Sequence, residues 1–384
     1  MTGLDVLRRH DFAPLHGKRV GLVTHPAALA NDFQSALELF ADATECQLVA
    51  LFGPEHGLSG EAQDLIPVAA NAGGRYRTYS LYGDTFESLK PTRAMLKDLD
   101  VLVVDMQDVG SRYYTFQATM LYCMEVCAEI GLPVMVLDRP NPIGRAVEGP
   151  TIQPGFESFV GPHPIATRHG MTMGELARLY RAERVPSVDL TIVPCENYTV
   201  SIEDVWNVPP SPNMPNCETA EVYPGMCLIE GTNLSEGRGT TRPFEYVGFP
   251  GADHYRIAAE LNDFDIAHEY DCIPVRFRPT FQKHAGQTCN GIFIVDGDSD
   301  AFRPVRMGLA ILIAFRDQLG TQFQWRTERY EFVDRIPAID LLFGSDRERT
   351  MIDAGARWQD IAKLWEPEEA AFRERRKPHL MYEE

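Results

Sequence analysis

Residues 100–105, DVLVVD, indicate the fold class, because their four central positions are apolar with no polar–apolar alternation. Such a run is typical of a strand covered on both faces, as in a parallel sheet. Similar apolar runs occur as RVGLVT at 19–24, QLVALF at 47–52 and PVMVLD at 133–138. The segments between the runs have apolar residues at helical spacing, most clearly at 114–130. Alternating strands and helices predict parallel pairing with right-handed crossovers. The first half of the chain is therefore predicted to be a Rossmann-like α/β domain.

Shorter patterns extend this prediction along the chain. The further elements predicted in the first half are helices at 34–43, 91–99 and 173–184, the last behind Thr172 as N-cap, and strands at 77–81 and 190–193. In the second half we predict helices at 255–261 and 305–319, strands at 274–278 and 291–295, and a charged helical segment at 360–376.

Four prolines interrupt any regular element in WNVPPSPNMPN at residues 206–216, and the pattern of elements changes beyond it. We therefore place a domain boundary there. The prediction is a Rossmann-like N-terminal domain of residues 1–205 and a smaller α+β C-terminal domain of residues 206–384, with an active-site cleft between them.

Composition restricts the class of protein and its partners. Of 384 residues, 44% are hydrophobic and 24% charged, which is typical of a globular chain. Lys and Arg number 36 and Asp and Glu 55, so the net charge is 36 − 55 = −19, which disfavours nucleic acid and anionic membranes as partners. The eight cysteines show no C-x-x-C spacing and read as reduced thiols. No apolar signal-peptide region follows the first residues, so we expect a cytoplasmic protein.

Polar residues follow four of the predicted strands. Thr24 and His25 follow the first, GPEHG at 53–57 the second, DMQDVGSR at 105–112 the central strand, and DRPNP at 138–142 the next. Ligands of open parallel sheets bind outside the carboxyl ends of the strands. The sequence therefore predicts that these groups converge at one edge of one sheet.

Glu55 stands out in this set, because it lies between Pro54 and His56 in a segment too short for a helix. A carboxyl group held on a rigid turn above a sheet suits a general acid. The neighbouring carboxylates have plainer interpretations as well. Asp105 can cap a helix or fix a loop, and Asp138 can form a local ion pair with Arg139 that shapes a turn.

A second dense stretch is EGTNLSEGRGTTRPFE at residues 230–245, whose glycines let the backbone approach a ligand and whose polar side chains offer directional contacts. An ordered connection that binds nothing is the alternative. The stretch lacks a Walker pattern, and the turn at residues 25–28 lacks G-x-G-x-x-G, so ATP and dinucleotide chemistry lose support. We predict no cofactor.

A metal site is a further possibility that the sequence leaves open. Asp105, Asp108, Glu55, His56 and His169 could supply nitrogen and oxygen ligands. No His-x-x-x-His or similar signature is present, so the prediction is that no metal is bound.

Seven blocks of the sequence together resemble the exo-β-N-acetylmuramidases of the NamZ type, glycoside hydrolase family 171, long catalogued as a domain of unknown function. The blocks are FGPEHGLSGEAQD (52–64), DMQDVGSRYYTF (105–116), LDRPNPIG (137–144), VEGP (147–150), RHGMTMGELA (168–177), SPNMP (211–215) and EGTNLSEGRGTTRPFE (230–245). The C-terminal ERRKPHLMY is also similar to the end of that family. The resemblance implies a Rossmann-like domain, a smaller second domain, and cofactor-free release of N-acetylmuramic acid from the non-reducing ends of peptidoglycan fragments.

The resemblance also implies that Glu55 is the catalytic acid. Glycoside cleavage usually needs a second carboxyl group, for which Asp105, Asp108 and Glu236 are candidates, unless the substrate's own acetamido oxygen takes that part. We expect Arg112, Arg168 or Arg238 to bind the lactyl carboxylate and Tyr113 or Tyr114 to stack on the sugar. The remaining predicted substrate-binding residues are His56, Gln107, Asn141, His169, Asn213 and Asn233.

Two other classes of function stay open at this point. One is a non-catalytic protein that binds muropeptide sugars in the same cleft. The other is a metal-dependent hydrolase of a phosphoester or an amide, built on the carboxylates and histidines named above.

Overall fold

A six-stranded parallel sheet forms the first half of the protein in the computed structural model, which describes residues 1–60, 62–63, 75–199, 206–264, 270–296 and 302–383. Its strand order is β3-β2-β1-β4-β5-β6, which is the Rossmann order. The strands are β1 (Arg19–Thr24), β2 (Gln47–Gly53), β3 (Arg77–Ser80), β4 (Val101–Asp105), β5 (Val134–Leu137) and β6 (Leu190–Val193). All six were predicted from the sequence to within one residue at each end, and the predicted Rossmann-like class is confirmed.

Within the described residues, five α-helices accompany this sheet. They are α1 (Gly3–Arg9), α2 (Ala36–Asp42), α3 (Arg93–Leu96), α4 (Phe116–Ile130) and α5 (Met173–Glu183). The predicted cap of α5 is confirmed, because Thr172 and Glu175 form a reciprocal capping box. The helix predicted at 91–99 is shorter than expected, since the Thr92 side chain accepts from the Met95 amide and thereby starts the helix at Arg93.

The second half contains a three-stranded antiparallel sheet, β7 (Tyr246–Phe249), β8 (Tyr270–Phe277) and β9 (Cys289–Asp296), in the order β7-β9-β8. Its helices are α6 (Cys217–Met226), α7 (His254–Asn262), α8 (Pro304–Leu319), α9 (Ala338–Phe343), α10 (Arg347–Asp353), α11 (Trp358–Ala362) and α12 (Glu366–Arg376). The predicted second α+β unit is thereby confirmed. The exact boundary at residues 205 and 206 stays a prediction, because residues 200–205 lie outside the described part of the chain.

Two glycines bring α6 and α8 into contact. A Cβ atom added at Gly225 would overlap the backbone of Pro304, and one added at Gly308 would overlap the backbone of Gly225. Only glycine permits so close a backbone approach. The crossing fixes the position of α6, whose Tyr223 lines the cavity described below.

All eight cysteines are free and buried, which agrees with the reading of reduced thiols. Within the described residues, none of the helices combines the length and apolar character needed to cross a bilayer.

Candidate active site

A cavity with an empty volume of about 530 Å³, which includes space open to solvent at its mouth, lies beyond the carboxyl ends of β2 and β4. Residues on both sides of the predicted domain boundary contribute to its wall. The lining residues are Glu55, His56, Tyr113, Tyr114, Thr115, Phe116, Val160, Ser211, Asn213, Met214, Tyr223, Glu230, Arg238, Phe244, Tyr330 and Glu331.

Glu55 reaches this wall from a tight turn two residues beyond β2. The Gly57 amide donates to the Pro54 carbonyl at 3.0 Å, and His56 and Gly57 both have positive φ angles, of 70° and 79°. The Glu55 side chain is buried, and the Thr115 hydroxyl donates to its Oε2 at 2.6 Å. Glu55 is therefore a fixed carboxyl group in the cavity wall, as the sequence predicted.

Tyr82 connects Glu55 with a second carboxyl group, Glu331. Tyr82 follows β3 by two residues just as Glu55 follows β2, and the last residues of the two strands, Gly53 and Ser80, are paired. The Tyr82 hydroxyl donates to Glu331 Oε2 at 3.3 Å and is also within hydrogen-bonding reach of Glu55. Burial, followed by the charges of Glu55 and Glu331, raises the pKa of the Tyr82 phenol. This phenol therefore keeps its proton at every physiological pH.

Arg238 supplies positive charge to another part of the wall. Its guanidinium contacts Glu230 Oε1 at 2.9 Å and Glu236 Oε1 at 3.0 Å, and it lies 4.8 Å from the centre of the Phe244 ring. Lys283 completes the group with a contact of 2.9 Å to Glu236 Oε2. The cluster holds two cationic and two anionic side chains, so the Arg238 guanidinium is fixed in orientation before any ligand arrives.

Glu236 was a candidate for the second catalytic carboxyl group, but its surroundings favour a different role, the positioning of Arg238. Burial alone would raise the pKa of this carboxyl, but the charges of Lys283 and Arg238 outweigh burial and lower the pKa to about 2. Glu236 is thus an ion under all working conditions, with its oxygens occupied by two cations. Its side chain is outside the cavity lining and positions Arg238.

Three further predicted binding residues line the cavity, namely His56, Tyr114 and Asn213. The His56 Nδ1 lies 2.7 Å from the Ala62 carbonyl, which orients the ring. The Asn213 amide donates to Gln63 Oε1 at 2.9 Å.

The two adjacent tyrosines differ. The Tyr113 hydroxyl donates to the Pro224 carbonyl at 3.2 Å and is tied to α6. Tyr114 packs edge-to-face against Phe116 and Tyr223. Both rings lie in the wall, and the other aromatic side chains of the lining are Phe116, Tyr223, Phe244 and Tyr330.

Asp105, at the end of β4, lies outside the cavity lining. Its two oxygens accept from Arg139 Nε at 2.6 Å and Arg139 Nη2 at 3.0 Å, and both side chains are almost fully buried. Arg139 also donates to the Leu29 carbonyl at 3.0 Å. Burial and the Arg139 charge lower the pKa of the neighbouring His25 to about 3, so that ring is neutral. This arrangement fits the plainer interpretation of Asp105, which is to fix loops at the edge of the sheet.

Asp108, Gln107 and His169 form a second buried group behind the cavity wall. Asp108 Oδ2 accepts from the Gly110 amide at 2.7 Å and lies 3.3 Å from His169 Nε2. The Gln107 amide donates to the backbone carbonyls of Asp108 and Pro140. These side chains shape the loop that leads to Thr115, and they do not line the cavity.

Arg112 and Arg168 were predicted to bind a carboxylate, and the structure directs both to backbone oxygens instead. The Arg112 guanidinium is fully buried and donates to the carbonyls of Pro150 and Ile165 and, across the chain, Leu342. Arg168 donates to the Phe302 carbonyl at 3.0 Å. Of the three predicted arginines, Arg238 alone lines the cavity.

Asn141 and Asn233 also lie outside the lining. Asn141 donates to the Met171 carbonyl at 3.0 Å and accepts from the Ile143 amide at 3.0 Å. Asn233 donates to the Gln322 carbonyl and accepts from the Gln324 amide. Each amide is used to hold two chain segments together.

Sequence reasoning did not single out several residues of the wall, namely Thr115, Glu230, Tyr330 and Glu331, or Tyr82 behind it. Thr115 and Glu230 lie inside two of the sequence blocks quoted above, 105–116 and 230–245, so the sequence could have identified them as candidates. Tyr82 and Glu331 lie 249 residues apart and carry no motif.

The five residues that were considered as metal ligands are divided between the cavity wall and the buried groups behind it. Among the described residues, no three His, Cys, Asp or Glu side chains are grouped closely enough to hold a metal ion.

Carboxyl groups, an oriented guanidinium, an amide and aromatic rings around one cavity define a candidate carbohydrate-processing site on a Rossmann-like scaffold. The chain matches the family models described as exo-β-N-acetylmuramidase NamZ, N-terminal over residues 20–218 and C-terminal over residues 221–382. It therefore belongs to the NamZ exo-β-N-acetylmuramidase family.

Individual relatives agree with this assignment. The chain is 40% identical to the peptidoglycan β-N-acetylmuramidase NamZ of Bacillus subtilis (strain 168), over 99% of this chain and 91% of that protein. Crystal structures of two DUF1343 family proteins from Bacteroides fragilis NCTC 9343 are similar to it, both over 100% of this chain. The first has a TM-score of 0.88 with 30% identity over 98% of its own length, and the second 0.78 with 31% identity over 99%.

Proposed function

We propose that this protein is an exo-β-N-acetylmuramidase, a glycoside hydrolase that releases N-acetylmuramic acid from the non-reducing ends of peptidoglycan fragments in cell-wall turnover and recycling. The observation that carries the proposal is the position of Glu55, a buried carboxyl group fixed in the cavity wall. Membership of a family whose description names this activity supports the same assignment.

In this proposal Glu55 gives its proton to the glycosidic oxygen as the bond from that oxygen to the anomeric carbon breaks. The bonding electrons leave with the oxygen, which departs as the alcohol of the next sugar. A water molecule adds its oxygen to the anomeric carbon, and the proton that it loses restores Glu55. The Thr115 hydroxyl holds the carboxyl group in place during both proton transfers.

Arg238 is the residue that we assign to the lactyl carboxylate, the group that distinguishes muramic acid from N-acetylglucosamine. Glu230 and Glu236 fix the guanidinium on one side, and Phe244 supports its face. A guanidinium with fixed orientation binds a carboxylate through paired hydrogen bonds. The same groups hold Arg238 in place in the cavity wall.

Recognition of the rest of the sugar falls to Tyr114, Asn213 and His56, which line the same cavity. Tyrosine offers a ring face to the apolar side of a sugar, and the amide and imidazole serve its hydroxyl groups. Asp105, Asp108, Gln107, Arg112, Asn141, Arg168, His169 and Asn233 are left out of the proposed contact set, because the structure gives each of them a structural partner outside the cavity.

Two disaccharides that differ only in their order test the proposed function. The purified protein is incubated with N-acetylmuramyl-N-acetylglucosamine and, separately, with N-acetylglucosaminyl-N-acetylmuramic acid, and the products are separated by liquid chromatography and identified by mass spectrometry. We expect monosaccharides from the first compound alone, since only there does muramic acid occupy the non-reducing end. An intact first compound after long incubation would refute the proposal.

The same incubations discriminate the two other classes of function. A non-catalytic sugar-binding protein would bind the first disaccharide in a calorimeter and leave it uncut. A metal-dependent hydrolase would lose its activity in a chelator and regain it when the metal is restored, whereas the proposed mechanism predicts the same rate before and after chelation.

A further inference from the structure

A tight turn at Tyr330–Val333 brings a second carboxyl group to the cavity. Tyr330 and Val333 exchange two backbone hydrogen bonds, of 3.0 Å and 2.9 Å, so the loop between them has two residues, Glu331 and Phe332. Both central residues have positive φ angles, of 43° and 68°. This is the pattern of a type I′ turn, in which Asn and Gly are the favoured residues. Glu and Phe are both unfavourable there, so their presence calls for an explanation in the surroundings.

The surroundings of the turn give each of its side chains a definite partner. Phe332 packs edge-to-face on Tyr82 and Phe159, with ring centres 5.6 Å and 6.4 Å apart. Tyr330 donates from its hydroxyl to Glu230 at 2.9 Å. Glu331, between them, is buried and lines the cavity together with Glu55. The strained turn therefore presents one carboxyl group to the cavity and anchors it from both sides.

The Tyr82 hydroxyl lies between the two carboxyl groups. It donates to Glu331 and is also within hydrogen-bonding reach of Glu55. A phenol carries a single hydrogen, so it can donate to only one of them at a time. Tyr82 can bridge the two groups when one carboxyl group is ionised and accepts from the phenol, while the other carries a proton and donates to the phenol oxygen. Such a difference in protonation is what an acid and its ionised partner require.

We infer that Glu331 is the second carboxyl group of the active site, and that Tyr82 is a positioning residue that sets its distance from Glu55. The inference rests on the proposed function. In it, ionised Glu331 faces the anomeric carbon and stabilises the positive charge that develops as Glu55 protonates the leaving oxygen. No other reactant is needed, since water supplies the oxygen that ends on the anomeric carbon.

Among the described residues, Glu230 and Glu236 are the other carboxylates close to the cavity, and both contact the Arg238 guanidinium. Glu230 contacts Arg238 and accepts from Tyr330, and Glu236 contacts both Arg238 and Lys283. Removing either of these would also displace the guanidinium. Glu331 lies instead on the Glu55 side of the wall, where Tyr82 connects the two groups.

The experiment compares Glu331→Gln with Glu328→Gln, an exposed glutamate three residues earlier on the same segment. Turnover of N-acetylmuramyl-N-acetylglucosamine is measured for both, with thermal unfolding as the check on folding. We expect Glu331→Gln to lower kcat by about 100-fold or more with a change in KM of a few fold, which is the scale of a lost catalytic carboxyl group. Glu328→Gln should match the wild type. A Glu331→Gln variant with kcat within a few fold of the wild type would overturn the inference.

Two further variants keep the test decisive if Glu331→Gln unfolds. Glu331→Ala, assayed on an aryl N-acetylmuramide, should recover turnover when sodium azide is added, because the small anion can occupy the vacated position. Tyr82→Phe should lower kcat, leave KM unchanged and displace the pH–rate profile, which loss of packing alone would not do. Absence of both effects would refute the assignment.

The activity of the wild-type protein separates a failure of the proposed function from a failure of the Glu331 assignment. A wild-type protein that leaves the disaccharide intact removes the muramidase function. A wild-type protein that cleaves it, alongside an equally active Glu331→Gln variant, removes the assignment of Glu331 alone.

Discussion

A substitution of Asp105 tests quantitatively whether this residue stabilises the fold from behind the cavity wall or acts in catalysis. The sequence marks it as a catalytic candidate, whereas the structure pairs both of its oxygens with Arg139 at 2.6 Å and 3.0 Å. The two side chains are 0% and 3% exposed. In Asp105→Asn the shape is retained and the charge is lost, so the Arg139 guanidinium is left buried without its counter-ion.

Removing one partner of a buried ion pair typically costs about 3–5 kcal/mol of folding free energy. We expect Asp105→Asn to lose about that amount, a large share of the roughly 5–15 kcal/mol available to a domain. Because Asp105 is outside the cavity, kcat per folded molecule should stay within about two-fold of the wild type. Urea unfolding followed by circular dichroism gives the first quantity, and steady-state turnover at a temperature where both proteins are folded gives the second.

The matched control is Asp100→Asn at the other end of the same strand. Asp100 forms a similar two-contact pair with Arg19, but that pair is exposed to solvent, at 39% and 47%. Exposed ion pairs contribute little to stability, so the free energy of unfolding of this variant should be close to that of the wild type. The reasoning would be refuted by an Asp105→Asn variant that is as stable as Asp100→Asn yet inactive, since Asp105 would then act in catalysis.

Three further predictions concern other residues. Arg238→Lys should reduce the preference for binding N-acetylmuramic acid over N-acetylglucosamine by about 10-fold, because the paired contact to the lactyl carboxylate is lost; equal Kd ratios for variant and wild type in calorimetry would contradict this. Thr115→Val removes the hydroxyl that donates to Glu55 and should lower kcat by about 10-fold with little change in KM, as steady-state kinetics can check. Burial raises the pKa of Asp138 from 3.8 to about 6, so the folded state holds a proton that the unfolded state releases, and the stability due to this group is present below about pH 4 and lost as the pH rises through 6. The free energy of unfolding of Asp138→Asn, measured with urea, should therefore rise relative to that of the wild type by up to about 3 kcal/mol between pH 4 and pH 7. A difference between the two proteins that does not change with pH would contradict this prediction.

The parallel sheet was predictable because its signal is local and repeated. A strand buried on both faces must be apolar at consecutive positions, and β1, β2, β4 and β5 all satisfy this over four or more residues. The turn that ends β2 was predictable for a similar reason, since PEHG can continue neither a strand nor a helix. That turn carries Glu55.

Elements whose form depends on tertiary contacts escaped prediction. α6 contains Pro224, a residue that usually ends a helix, and follows a proline-rich segment, so the sequence argued against it. Its contact with α8 through Gly225 and Gly308 is visible only in three dimensions. β7 has four residues and two of them are buried, which is too short a pattern to recognise.

The rule that ligands bind outside the carboxyl ends of parallel strands predicted the correct edge of the sheet. It did not predict how deeply each side chain at that edge is buried. Asp105 and Glu55 both follow strands, yet a partner 34 residues further along the chain, Arg139, holds the first below the surface. Glu331 escaped notice for the opposite reason. Its turn has Glu and Phe where Asn and Gly are expected, so the usual signal of a two-residue turn is missing.

If Glu55 protonates the leaving group, the loss of activity in Glu55→Gln must depend on how much the leaving group needs a proton. Glu55→Gln is assayed on N-acetylmuramyl-N-acetylglucosamine, whose sugar alcohol needs a proton to depart, and on dinitrophenyl N-acetylmuramide, whose phenolate departs without one. We expect a loss in kcat of about 100-fold or more on the disaccharide and a much smaller loss on the aryl compound. Equal losses on both compounds, or near-normal turnover of the disaccharide, would contradict it.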